Sequence, residues 1–174
     1  MGDRISFEEG LQQKLGCAII VAGSGSDKSH IEKIVDSLKE YTVPFDVRVC
    51  SVHKQLEQTR DIVEYLVSID APLAIVAVAG GTDGLSGTLA YQVFNHPTIS
   101  CPPDGIDNRS VLTNPPGSSN STIYKPRNVG RYVAQMFAHL NLEYARILLE
   151  KNEEKDASLG RDDREIQDWA KGIK

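Results

Sequence analysis

Two nearly continuous apolar runs, "CAIIVAG" (17–23) and "LAIVAVAGG" (73–81), stand out along the chain. They are rich in β-branched and small residues, as strands covered on both faces are. "FDVRVCS" (45–51) and the shorter "PTISCPP" (97–103) read as two further strands. Between the runs, apolar residues recur at helical spacing. Ile31, Ile34, Val35 and Leu38 mark one face of a helix from Asp27 to Tyr41, with Ser26 or Asp27 as its cap. Ile62, Val63, Leu66 and Ile69 do the same from Leu56 to Ile69, and Leu85, Leu89, Val93 and Phe94 from Gly84 to Phe94. Strands alternating with helices predict right-handed βαβ units. The expected fold is a three-layer α/β/α sandwich around a flavodoxin-like parallel sheet.

Beyond Pro103 the pattern changes. "DGIDNRSVLTNPPGSSNSTIYKPRN" is rich in Gly, Pro, Ser and Asn and reads as an ordered loop with a short helix near Arg109 to Leu112. Loops of that length in a domain usually serve a function. One long amphipathic helix is then predicted from Asn128 to Lys151, with Val129, Val133, Met136, Leu140, Tyr144 and Ile147 on one side. The expected organisation is a polar segment at 1–15, an α/β domain at 16–152 and a charged tail at 153–174. In the tail, Ile166, Trp169 and Ile173 are spaced as one face of a short helix that would dock on a neighbour. No internal repeat is evident.

Composition narrows the class. With 174 residues, 40% hydrophobic and 25% charged, the chain can bury a substantial single core. A net charge of −5 argues against non-specific nucleic-acid binding. No run is apolar enough to span a bilayer, and the first residues lack the apolar centre of a signal peptide. "MGDRIS" fits the loose N-myristoylation pattern. Cys17, Cys50 and Cys101 are odd in number and widely spaced, which suits buried free thiols in a reducing cytoplasm better than disulfides or a metal site.

The candidate chemistry follows from the strand ends. Open parallel sheets bind ligands beyond the carboxyl ends of their strands. "GSGSD" (23–27), "SVHK" (51–54) and "AGGTDGLSG" (79–87) all fall there. Gly23 and Gly25 with Ser24 and Ser26 form either a phosphate cradle at a helix start or a tight turn with a serine cap. The glycines of the third segment are equally open to a packing role. Lys54 supplies a full positive charge suited to a phosphate. His53 is the side chain there able to exchange a proton near neutral pH. His30, His96 and His139 read as surface or helix-packing residues. Walker, nucleophile-elbow and metal-cluster motifs are missing, and the first turn is not GxGxxG.

In this order and spacing the three segments resemble the aminoimidazole ribonucleotide (AIR) carboxylase family, over roughly residues 16 to 152. "GSGSD" matches a GSxSD signature and "SVHK" resembles SAHR or SAHK. "AGGTDGL" resembles AGRSNGL at Ala79, Gly80, Gly84 and Leu85. Lys54 in place of arginine, "ISCPP" (99–103) and the lack of an AAHLPG pattern resemble the class that adds CO2 directly to the imidazole ring. The resemblance implies reversible carboxylation of AIR to 4-carboxy-AIR in purine biosynthesis, without metal or other cofactor. It implies that Ser24 and Lys54 hold the phosphate and Asp27 the ribose, with Ser26 and Ser51 in the same binding turns. His53 would exchange the ring proton, and Gly80, Gly81 and Thr82 would donate to the growing carboxylate. A homo-octamer with sites between subunits, or another homo-oligomer, is the implied assembly. Val52, Gly81, Thr82 and Asp83 depart from the family pattern, and Asp83 would set a negative charge against a product carboxylate. The alternatives are a carbamate mutase, a related carboxylase on another nucleotide, and a non-catalytic nucleotide-binding module.

Overall fold

The structure, a computed structural model, describes residues 5–173. The myristoylation pattern begins at Met1 and so lies largely outside the described residues. Among these, five parallel strands form one sheet in the order β2-β1-β3-β4-β5: β1 Cys17–Ala22, β2 Phe45–Val49, β3 Leu73–Val78, β4 Thr98–Ser100 and β5 Ser121–Thr122. β1 and β3 are buried at every position and pair in register from Cys17 with Leu73 to Ala22 with Val78. That is why both read as uninterrupted apolar runs. β2 is an edge strand and keeps the more mixed sequence Phe-Asp-Val-Arg-Val.

Helices cover both faces of the sheet, and two buried clusters result. One joins Ile20, Ala74 and Val76 to Ile34 and Leu38 of α2 (Lys28–Glu40), Val129 and Val133 of α5 (Val129–Phe137), and Tyr144 and Ile147 of α6 (Leu142–Gly172). The other joins Ile19, Val21 and Ile75 to Leu66 of α3 (Leu56–Ser68), Leu89 of α4 (Leu85–Gln92) and Phe7 of α1 (Phe7–Gln12). Alternate residues of β1 therefore feed opposite cores, as the pleat of a strand requires.

Several expectations need correction. The segment taken as one helix from Asn128 to Lys151 breaks at 138–141. Asn141 there turns its side-chain oxygen to the N–H of Glu143 and its amide to the carbonyl of Leu15, so a second helix starts at Leu142. Leu140 falls in that break and is 54% exposed, so it does not belong to the packed face. Phe94 lies beyond the end of α4 and is 81% exposed. The tail is not a separate short helix: α6 runs unbroken to Gly172, with Ile166, Trp169 and Ile173 exposed in the single chain. The polar N-terminal segment contains α1, started by a reciprocal capping box between Ser6 and Glu9. The short helical stretch at Arg109–Leu112 is present as a 3-10 turn. All three cysteines are free and buried.

Candidate active site

The strand order places the switch in crossover direction between β1 and β3, where open α/β sheets leave a crevice at their carboxyl edge. A cavity of about 170 Å³ lies there. The turn after β1 contributes Gly23, Ser24 and Asp27 to its lining. The turn after β2 contributes Ser51, Val52, His53 and Lys54, and the turn after β3 contributes Ala79, Gly80, Thr82, Gly84 and Leu85. Of the residues singled out from sequence, Ser24, Asp27, Ser51, His53, Lys54, Gly80 and Thr82 thus face one space. Ser26 and Gly81 do not line it.

The first turn is built by Ser24. Its backbone is extended, and its hydroxyl oxygen accepts from the N–H of Ser26, starting a 3-10 turn over Gly25–Asp27 that leads into α2. Ser24 therefore caps the 3-10 turn, and Asp27 holds the N-cap position of α2, one of the two residues expected there. Asp27 makes no capping bond, which leaves its carboxylate to the cavity. The Ser24 and Ser26 hydroxyls lie 2.8 Å apart and share a hydrogen bond, so Ser26 touches the cavity only through Ser24. Neither Gly23 nor Gly25 takes a left-handed conformation.

The second turn closes on Ser51. Its carbonyl accepts from the N–H groups of Lys54 and Gln55, while its own N–H donates to the side-chain oxygen of Gln55. The loop is tied to the sheet by Cys50, whose N–H donates to Ala22. His53 and Lys54 are exposed, so both side chains remain in contact with water. His53 reaches across to the third turn: a methyl group at position 84 would stand 2.7 Å from its Nε2. Adjacent cationic and imidazole groups at a strand end are tolerable in this setting because neither is sealed in the core.

The third turn carries three of the four departures from the family pattern, Gly81, Thr82 and Asp83. Gly81 has φ +67°, a left-handed conformation that favours glycine, and open space surrounds the position a Cβ would take. Its N–H donates to Oδ2 of Asp104 at 2.5 Å. Asp83 is not set against the cavity. It is 5% exposed, and its Oδ1 accepts from the N–H of Ser86 in the first turn of α4. A carboxylate there suits the positive end of a helix, so the negative charge foreseen beside a product carboxylate is spent on the helix start.

Gln55, Asp104, Asn108 and Ser110 belong to none of the three motifs, and Gly84 stood out only through its match to the family segment. Asp104, Asn108 and Ser110 come from the long loop after β4, and only that loop's length gave a signal. His30 sits outside the cavity lining on α2, with Nε2 3.0 Å from the Cys101 carbonyl. Burial holds its pKa below the ordinary histidine range. Among the described residues, no group of three or more His, Cys, Asp or Glu side chains could hold a metal ion. Nor is any described helix long and apolar enough to cross a membrane.

Comparison with known proteins agrees with this arrangement. The profile of the family described as AIR carboxylase matches residues 17–158. This chain belongs to the AIR carboxylase family. The phosphoribosylaminoimidazole carboxylase of Treponema denticola is 33% identical over 132 residues, covering 73% of this chain and 82% of that protein. The human bifunctional phosphoribosylaminoimidazole carboxylase/phosphoribosylaminoimidazole succinocarboxamide synthetase is 36% identical over 141 residues, 75% of this chain but 32% of that protein. The match thus covers about a third of the human protein. The crystal structure of Treponema denticola PurE superposes with a TM-score of 0.81 and 29% identity, covering 86% of this chain and 98% of that one. The fold is therefore the flavodoxin-like parallel sheet of this family, with helices on both faces and a long C-terminal helix.

Proposed function

We propose that the protein is a phosphoribosylaminoimidazole carboxylase that adds CO2 reversibly to AIR, giving 4-carboxy-AIR in purine biosynthesis. The observation that carries this is the meeting of Ser24, Asp27, His53, Lys54 and Thr82 around one cavity at the β1/β3 crevice. Family membership and the names of the relatives support the reaction.

The division of labour follows from the chemistry of each group. Lys54 and the Ser24 hydroxyl face a phosphate, and Asp27 accepts from the ribose hydroxyls. The aminoimidazole is electron-rich, and its ring carbon attacks the carbon of CO2. A carbon–carbon bond forms, one C=O π pair moves onto oxygen, and a carboxylate results. The proton left on the ring carbon passes to His53, restoring aromaticity, and His53 returns it in the reverse direction. The Thr82 hydroxyl and the backbone about Gly80 stabilise the charge that develops on the carboxylate. Gly81 contributes the shape of that backbone, because its N–H faces Asp104.

Small-molecule sites commonly hold roughly 300–1,000 Å³. A cavity of about 170 Å³ in one chain falls short of that. The shortfall supports a site completed by a neighbouring subunit, and a cytoplasmic homo-octamer is the assembly proposed. Lys54 and "ISCPP" favour direct carboxylation over the carbamate mutase.

The test is incubation with AIR and bicarbonate without ATP, following the ultraviolet absorbance of 4-carboxy-AIR. Product is expected from AIR. Product from the carbamate isomer alone would assign the mutase reaction, and product from neither would end the carboxylase reading. Sedimentation should give the mass of eight chains; a monomer would refute the assembly.

A further inference from the structure

The loop after β4 holds the third turn of the site at successive points. Asp104 Oδ2 accepts from the Gly81 N–H at 2.5 Å. Asn108 donates from Nδ2 to the Ala79 carbonyl at 3.2 Å. Ser110 Oγ accepts from the Asp83 N–H at 2.8 Å. The Ser110 hydroxyl has one proton and two acceptors in reach, Asn108 Oδ1 at 2.5 Å and the Gly81 carbonyl at 3.3 Å. The shorter contact takes the proton, which locks Ser110 to Asn108 and leaves its lone pairs for Asp83. Asn108 is buried and Ser110 half-buried, so the bond between them is partly screened from water. The Asp104 carboxylate also lies against Gly80, where a Cβ would meet its oxygens at 3.1 and 3.2 Å.

A glycine-rich stretch has many accessible conformations, and a site needs one. The three bonds fall on Ala79, Gly81 and Asp83, so the intervening Gly80 and Thr82, which line the cavity, are fixed between them. We infer that Asp104, acting alongside Asn108 and Ser110, is a positioning residue that sets the Gly80–Thr82 segment to receive the carboxylate end of the ligand. The inference rests on the AIR carboxylase reading for the nature of that ligand. Asp104 itself does not line the cavity, so its action passes through the Gly81 backbone.

The experiment pairs amide hydrogen exchange over residues 79–84 with calorimetric titration of AIR and of 4-carboxy-AIR, in wild type, Asp104→Ala and Asp104→Asn. Losing a hydrogen bond to a charged group should weaken 4-carboxy-AIR binding by about tenfold or more in Asp104→Ala, with AIR binding changed less than about twofold. Exchange at Gly81 should quicken by a similar factor. Asp104→Asn keeps an acceptor oxygen and should restore most of both. Equal loss of affinity for the two nucleotides would mean a general structural role and overturn the inference, as would unchanged exchange and binding. Should Asp104→Ala fail to fold, Ser110→Ala removes the acceptor for Asp83 and is expected to shift the same affinity ratio. If the wild type binds neither nucleotide, the carboxylase reading itself fails. If it binds both and the ratio is unmoved by the variants, only the positioning role fails.

Discussion

His53 and Gly84 share one space: a methyl group carried at position 84 would stand 2.7 Å from the imidazole Nε2. Gly84 has φ −86° and ψ −14°, ordinary helical backbone that any residue can adopt. Its lack of a side chain is needed for room and not for conformation. The exposed imidazole is free to swing outward if that room is taken.

Gly84→Ala should therefore separate stability from activity. A strain-free Gly→Ala change stabilises a protein by about 0.4–1 kcal/mol, so the thermal midpoint should hold or rise. Turnover should fall by about 100-fold, the lower end of what a positioned acid–base group contributes. Calorimetry and a carboxylation assay on the same preparation check this. Full activity in a well-folded variant would show that the position of the ring does not matter.

The neighbouring residues predict different kinetic defects. His53→Asn should lower turnover by about 100- to 10,000-fold while AIR still binds. Lys54→Ala should chiefly raise KM, because the charge meets the phosphate in ground state and transition state alike. Steady-state kinetics distinguishes them, and a Lys54→Ala variant with normal KM and depressed kcat would contradict phosphate binding.

Tyr144→Phe tests the anchoring of α6. The buried Tyr144 hydroxyl donates to the Gly16 carbonyl at 2.7 Å. Removing it strands that carbonyl, and urea denaturation should show a loss of about 1–3 kcal/mol with little change in slope. An unchanged midpoint would show that water takes the place of the bond.

Acid should weaken the fold through two histidines. Burial lowers the pKa of both His30 and His96, and the His96 Nε2–H donates to the Ile69 carbonyl. Their folded pKa values lie below the ordinary 6.5, so the unfolded chain binds protons first as pH falls. The stability they contribute is complete above 6.5 and is lost as pH drops through the lowered values. Denaturant midpoints between pH 7.5 and 5 should fall, and less steeply in His96→Gln. A midpoint rising toward pH 5 would reverse the sign argued for these groups.

The features legible in the sequence were those written in local pattern. "CAIIVAG" and "LAIVAVAGG" announced strands covered on both faces, and their ends located the cavity. The features that escaped depend on choices that periodicity does not encode. The break at Asn141 sits inside an amphipathic pattern that continues on either side, and a polar residue there satisfies both a helix start and the distant Leu15 carbonyl. The Ser6–Glu9 capping box was present in the sequence but lay in a segment too polar to suggest a helix. β5 has only two residues, too few for any alternation to show. The contact of Asp104 with Gly81 spans 23 positions, and nothing in "CPPDG" identifies which backbone group its carboxylate will meet.

The burial of all three thiols gives the molecule a built-in reporter of its own opening. Cys17, Cys50 and Cys101 are enclosed, and burial pushes the Cys17 and Cys101 thiols up to about 12, far from the reactive thiolate form at neutral pH. An alkylating reagent added to the intact protein must wait for the sheet to part before it can react. The labelling rate at each cysteine then measures how often its own strand end comes undone, with no engineered probe required.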